Sequence, residues 1–120
     1  MTTLVAARAA LVTAVGASEA AVDPPATYVF SRGSDLELLG RGPSGTTGYR
    51  WGFRVQCVVP YQGDDATASR ASATLVTSTV ATLLALTGWE LERVSADLII
   101  ETAGGKYFGA DIDVTTVVHF

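Results

Sequence analysis

Residues 48–61, GYRWGFRVQCVVPY, alternate almost without error. Tyr49, Trp51, Phe53, Val55, Cys57 and Val59 are apolar, with Arg50, Gly52, Arg54 and Gln56 between them. A period of two over this length predicts a strand at about 49–60 with one buried face. The same period returns in KYFGADIDVTTVVHF. There Phe108, Ala110, Ile112, Val114, Thr116, Val118 and Phe120 fall on one face, and Tyr107, Gly109, Asp111, Asp113, Thr115 and His119 on the other, over about 106–119. Before it, WELERVSADLIIE predicts a strand at about 90–101 with Leu91, Val94, Leu98 and Ile100 mainly on one side, and a slip near Arg93 that suggests a bulge. Ala103-Gly104-Gly105-Lys106 joins these two strands as a hairpin turn signal.

Two segments carry the helical period instead. In LVAARAALVTAV, Leu4, Leu11 and Val15 share one face with Ala7 between them and Val12 adjacent. A helix at about 3–15 follows, capped by Thr2 or Thr3 and ending near Gly16. At about 65–87, Leu75, Val76, Val80, Leu83 and Leu84 form an apolar stripe. Asp64 or Asp65 supplies the N-cap and Gly88 the C′ position. The many threonines of this helix lower its intrinsic propensity, so packing must hold it. Between the helices, Pro24-Pro25 breaks any helix, and ATYVFS predicts a strand at about 26–31.

Residues 32–48 are glycine-rich yet hold an apolar island, Leu36, Leu38 and Leu39, beside Asp35 and Glu37. This excursion is longer than most connections in small domains, and a solvated linker has no use for leucines. We read it as a projecting hairpin or arm with Asp35–Gly40 as a short strand. The whole pattern predicts one α+β domain over 1–120: an antiparallel or mixed sheet of about four to five strands, two helices on one face, and a projecting hairpin or arm.

Composition adds a tilt towards assembly. Hydrophobic residues make up 48% of the chain and charged ones only 17%, below the roughly 25% usual for soluble domains. A chain so poor in charge has little to cover its surface with, and burying that surface in an oligomer is one remedy. Eight Lys and Arg against twelve Asp and Glu, net −4, oppose nucleic-acid binding as the main activity. The apolar run near the N-terminus is too short to span a bilayer, is interrupted by Arg8 and has no preceding basic residue, which argues against a signal peptide.

Candidate chemistry is sparse. Cys57 is the sole cysteine and lies on the apolar phase of its strand, as a core residue would. Asp111 and Asp113 form a D-x-D that could hold a divalent cation, but positions i and i+2 of any strand share a face, so a polar face alone explains it. Gly40-Arg41-Gly42-Pro43-Ser44-Gly45 lacks the Gly-Lys-Ser/Thr ending of a phosphate loop, and Pro43 removes an amide the cradle would use. His119 has no Ser or Cys nucleophile to serve. Trp51 follows the core phase, and Trp89 is placed to seal the long helix against the sheet. No catalytic, cofactor or metal residue emerges. The outward charges remain: Arg50 and Arg54 on one strand, Asp97 and Glu101, and Asp111 and Asp113 on the last two. They fit cross-strand pairs or contacts between subunits equally well.

In order and texture the chain resembles the tail terminator (tail-completion) proteins of long-tailed bacteriophages, of the actinobacterial-phage type. The features that carry the likeness are the Ala-rich first helix, PPATYVF, the glycine-containing arm, and YRWGFRVQCVVPY running into GDDATAS and an Ala/Thr/Leu helix. GWELERVSADLIIETAGGKYFGADIDVTTVV then completes the chain. The resemblance implies a non-enzymatic virion protein, assembled in the host cytoplasm into a ring, usually a hexamer, on the last ring of tail tube protein, facing the head-side connector. On this reading Arg50, Arg54, Asp97, Glu101, Asp111 and Asp113 suit subunit contacts, and Asp35, Leu36, Glu37, Leu38 and Leu39 a docking arm. The net negative charge suits a lumen through which DNA slides. A head-completion or stopper protein of the same neck is the nearest alternative, and a small oligomeric enzyme using Asp111, Asp113 or His119, or a free-standing binding module, the more distant ones.

Overall fold

The computed structural model describes residues 3–19, 24–41, 47–61, 64–102 and 105–119; of the side chains, those of 33–41, 47, 96–98, 100–102 and 105 lie outside the description. Helix α1 (Leu4–Val15) leads into strands β1 (Ala26–Arg41) and β2 (Thr47–Pro60). Helix α2 (Asp65–Leu84) precedes strands β3 (Trp89–Thr102) and β4 (Gly105–His119). All pairings are antiparallel and the sheet order is β1-β2-β4-β3, which gives the α+β architecture expected from the pattern. Strands of 14 to 16 residues make the molecule long, 55 × 27 × 21 Å.

The helix ends follow their capping residues. The Thr3 hydroxyl accepts from the Ala6 N–H at 3.2 Å, and Gly16, at φ 65°, closes α1 with its N–H turned back to Val12 and Thr13 carbonyls. Asp64 caps α2 by accepting from Ala66 N–H and from the Thr67 hydroxyl. The C-terminal expectation for α2 needs correction. The helix stops at Leu84, the Ala85 N–H bonds back to Ala81 and Thr82, and the Leu86 N–H bonds to the Leu83 carbonyl. This tightened turn ends the helix before Gly88, whose φ of +86° serves the following turn into β3.

The core lies between the helices and one sheet face. Phe53, Val55 and Cys57 of β2 and Ile112, Val114 and Val118 of β4 meet Ala7 and Leu11 of α1, Val29 of β1 and Leu83 of α2. Leu75, Val76, Val80 and Leu83 of the expected α2 stripe pack against the core, but Ala68, Ser72 and Thr79 are buried beside them and Leu84 is 67% exposed. The Thr79 hydroxyl satisfies itself locally on the Leu75 carbonyl at 2.8 Å. Trp89 packs against Phe53 with ring centroids 5.7 Å apart, and the Trp51 indole N–H donates to Ser31 Oγ at 2.7 Å.

Two further expectations are revised. The excursion over 32–48 takes the hairpin form of that expectation, but Asp35–Gly40 is not a separate short strand. Its Asp35–Gly40 portion continues β1, and Glu37 and Leu38 stand opposite Arg50 and Tyr49 after a register shift beyond Arg32. The residues of the connection itself, 42–46, and the side chains of Asp35, Leu36, Glu37, Leu38 and Leu39 lie outside the described part. In β3 the slip near Arg93 is a register shift between Leu91 and Arg93, and a second shift follows between Ser95 and Leu98. The second shift puts Ile99, rather than Leu98 or Ile100, opposite the core residue Phe108. Among the described residues no helix is long and apolar enough to cross a membrane.

Candidate functional site

The sheet face away from the helices carries Arg50, Arg54, Asp111 and Asp113, and β2 and β4 align these charges residue by residue. Arg54 stands opposite Asp113 and Gln56 opposite Asp111. Arg54 grips Asp113 with both arms of its fork, Nε to Oδ1 at 2.9 Å and Nη2 to Oδ2 at 3.4 Å, and reaches Asp111 at 4.0 Å. Gln56 donates to Asp111 Oδ1 at 3.2 Å. Asp113 is the deepest member, its side chain only 8% exposed although it sits on the uncovered face.

A longer reach explains that burial. Arg32 on the edge strand β1 stands opposite Gly52, which in turn stands opposite Thr115 of β4. With no side chain at Gly52, the Arg32 guanidinium lies across the sheet, 3.8 Å from Asp113 and 3.1 Å from Glu92 on the opposite edge strand. Two arginines thus close over one carboxylate. Arg50 pairs with Glu90 at 3.1 Å. The charge face is therefore largely neutralised within one chain.

Of the six residues expected in charge contacts, the structure brings Arg54, Asp111 and Asp113 together. Arg50 lies on the same face but pairs with Glu90. Asp97 falls in the irregular stretch between Ser95 and Leu98, and Glu101 stands opposite Lys106, away from Arg50 and Arg54 in register. The side chains of Asp97 and Glu101 lie outside the described residues. Sequence reasoning missed Arg32, Glu90, Glu92 and Gly52. The gap in the polar phase at Gly52, between Arg50 and Arg54, was the available signal.

The arrangement leaves the outer-face carboxylates engaged. Both carboxylates of the D-x-D are engaged by Arg54, Arg32 and Gln56, and no cluster of three or more His, Cys, Asp or Glu that could hold a metal occurs among the described residues. His119 is six residues along β4 from Asp113, about 20 Å at the usual strand rise, so the two do not meet. Cys57 is 1% exposed and gives its S–H to Thr79 Oγ1 at 3.6 Å. Burial pushes its thiol up from the usual range, while hydrogen bonds to Thr79 and Thr27 pull the other way. It is a poor nucleophile.

The helix layer contrasts with this face. From Ala71 to Trp89 the sequence has no charged residue, yet Ala71, Ala73, Thr74, Thr77, Ser78 and Ala81 are all exposed. Solvent-facing helix surfaces ordinarily carry charge opposite their apolar stripe. Beside α2 runs an apolar groove of about 540 Å³, lined by Pro25, Val59, Pro60, Ala71, Thr74 and Leu75. The chain matches no family model and no curated protein.

Proposed function

We propose that this chain is a structural, non-enzymatic ring subunit of the tail terminator type. In that reading a homo-oligomer, a hexamer in the usual form, closes a phage tail tube and meets the head-side connector, and DNA passes through its lumen. The observation that carries the proposal is the likeness in order and texture over nearly the whole chain, from the Ala-rich helix through PPATYVF and YRWGFRVQCVVPY to the last strand pair. Two structural facts support an assembling role. The carboxylates that an enzyme would use are tied to arginines, and the exposed surface of α2 from Ala71 onwards is free of charge. A surface without charge loses little solvation when a partner covers it.

Mass photometry and negative-stain imaging over a concentration series test this directly. The expected result is a shift from monomer to rings of one size that bind the ends of isolated tail tubes. A protein that stays monomeric, alone and with tubes, refutes the proposal.

A further inference from the structure

The groove beside α2 and one exposed isoleucine lie at opposite edges of the sheet, at the same height. Val59 in the groove stands opposite Phe108, and Phe108 stands opposite Ile99 on the far edge strand. The three form one row on the core side of the sheet. Val59 and Phe108 are buried, 3% and 5% exposed, whereas Ile99 is 52% exposed. Val94, on the same edge strand, is 40% exposed and stands opposite the fully buried Ile112. The β3 edge therefore offers apolar side chains that its own helices leave uncovered.

The other end of the row supplies the complement. Helix α2 packs across β2, β4 and β3, and its groove opens towards β1, where Pro25 forms a wall. None of the lining residues is charged, so filling the groove strands no ion. A knob on one edge and a socket on the other, level with each other, make a head-to-tail joint, the kind that generates rings when the rotation closes.

We infer that Ile99 of one copy docks in the Pro25–Val59–Pro60–Ala71–Leu75 groove of the next, with Val94 extending the contact. This deepens the ring reading above and rests on it. It also moves the joint away from Arg50, Arg54, Asp111 and Asp113, which stay within their own subunit.

The test uses the full chain. Ile99→Cys and Ala71→Cys variants are prepared separately and mixed, the native Cys57 being buried. Under mild oxidation the mixture should give a disulfide-linked heterodimer, and neither variant alone should give one. Ile99→Glu and Ala71→Arg should each weaken association by at least roughly tenfold while the far-ultraviolet circular dichroism stays unchanged. Both positions are exposed, so folding should survive. Wild-type-sized rings from Ile99→Glu, or links only between two Ala71→Cys chains, would overturn the joint and leave the ring reading intact. A wild-type chain that is monomeric at every concentration overturns both.

Discussion

The burial of Asp113 under two arginines makes a quantitative prediction about which partner matters more. Arg54 is 43% exposed and Arg32 22%, whereas the Asp113 side chain is 8% exposed. Replacing Arg54 with Met leaves a buried carboxylate with Arg32 alone, 3.8 Å away. Stranding a fully buried charge costs about 3–5 kcal/mol. The remaining arginine and the open sheet face reduce that, so about 2 kcal/mol is expected. Asp113→Asn keeps the shape and weakens two charge-assisted hydrogen bonds, while both arginines keep access to water and Arg32 keeps Glu92, so about 1–1.5 kcal/mol is expected. The double variant should cost less than the sum by about 1 kcal/mol, because its Asn no longer carries a charge needing a partner. Urea denaturation followed by tryptophan fluorescence measures all three, repeated at 0.1 and 1 M NaCl. Exposed pairs fade over that salt range, whereas this coupling should persist. Additive effects, or a coupling abolished by salt, would show that Arg54 and Asp113 are ordinary surface charges and that Arg32 shields nothing.

Other outcomes follow from single features. Cys57 should resist a thiol reagent such as DTNB at pH 8 in the folded protein and react fully in denaturant; rapid labelling of the native state would place it outside the core. Asp64 is held below its usual carboxylate range, first by the Thr67 hydroxyl and then by the Ala66 N–H. Its lowered folded value means a stabilisation present in full above about pH 4 and lost as pH falls through the folded value. Asp64→Asn keeps a capping oxygen and should flatten this acid dependence in thermal melts between pH 2 and 6; an unchanged slope would refute it. Gly88→Ala should cost about 1 kcal/mol from its φ of +86° alone, since an added Cβ meets nothing within 4 Å; an unchanged melting temperature would show that the turn relaxes freely.

The strands were legible because a half-buried sheet stamps a period of two on the sequence. Phe53, Val55 and Cys57, and Ile112 and Val114, read correctly from that signal alone. The caps at Thr3 and Asp64 were legible for an equally local reason. What escaped depended on chain positions far apart. The buried stripe of α2 uses Ser72 and Thr79, whose hydroxyls are reconciled with burial only by neighbours or by their own helix, so hydropathy ranked Leu84 above them. The second slip in β3 was hidden because ADLII offers apolar residues in either phase. Arg32 and Glu92 stand 60 residues apart and meet only because Gly52 opens the space between them. The charge contacts were therefore half visible: residue types and faces could be read, but partners could not.

The place of β4 in the sheet also governs how the molecule is made. It follows β1, β2 and β3 in the chain, yet it lies between β2 and β3. The β1–β2 hairpin can close early through contacts near in sequence, but β3 has nothing to join until β4 arrives. Until then the inner edges of β2 and β3 both stand open, with apolar faces attached. Closing the sheet must bring β2 and β4 together across the whole of α2, a non-local step that slows folding. The vulnerable species in production is thus the chain made as far as β3, in which three strands are ready and the fourth is missing. A cut within β4 would free a hairpin and an orphan strand rather than shorten an edge.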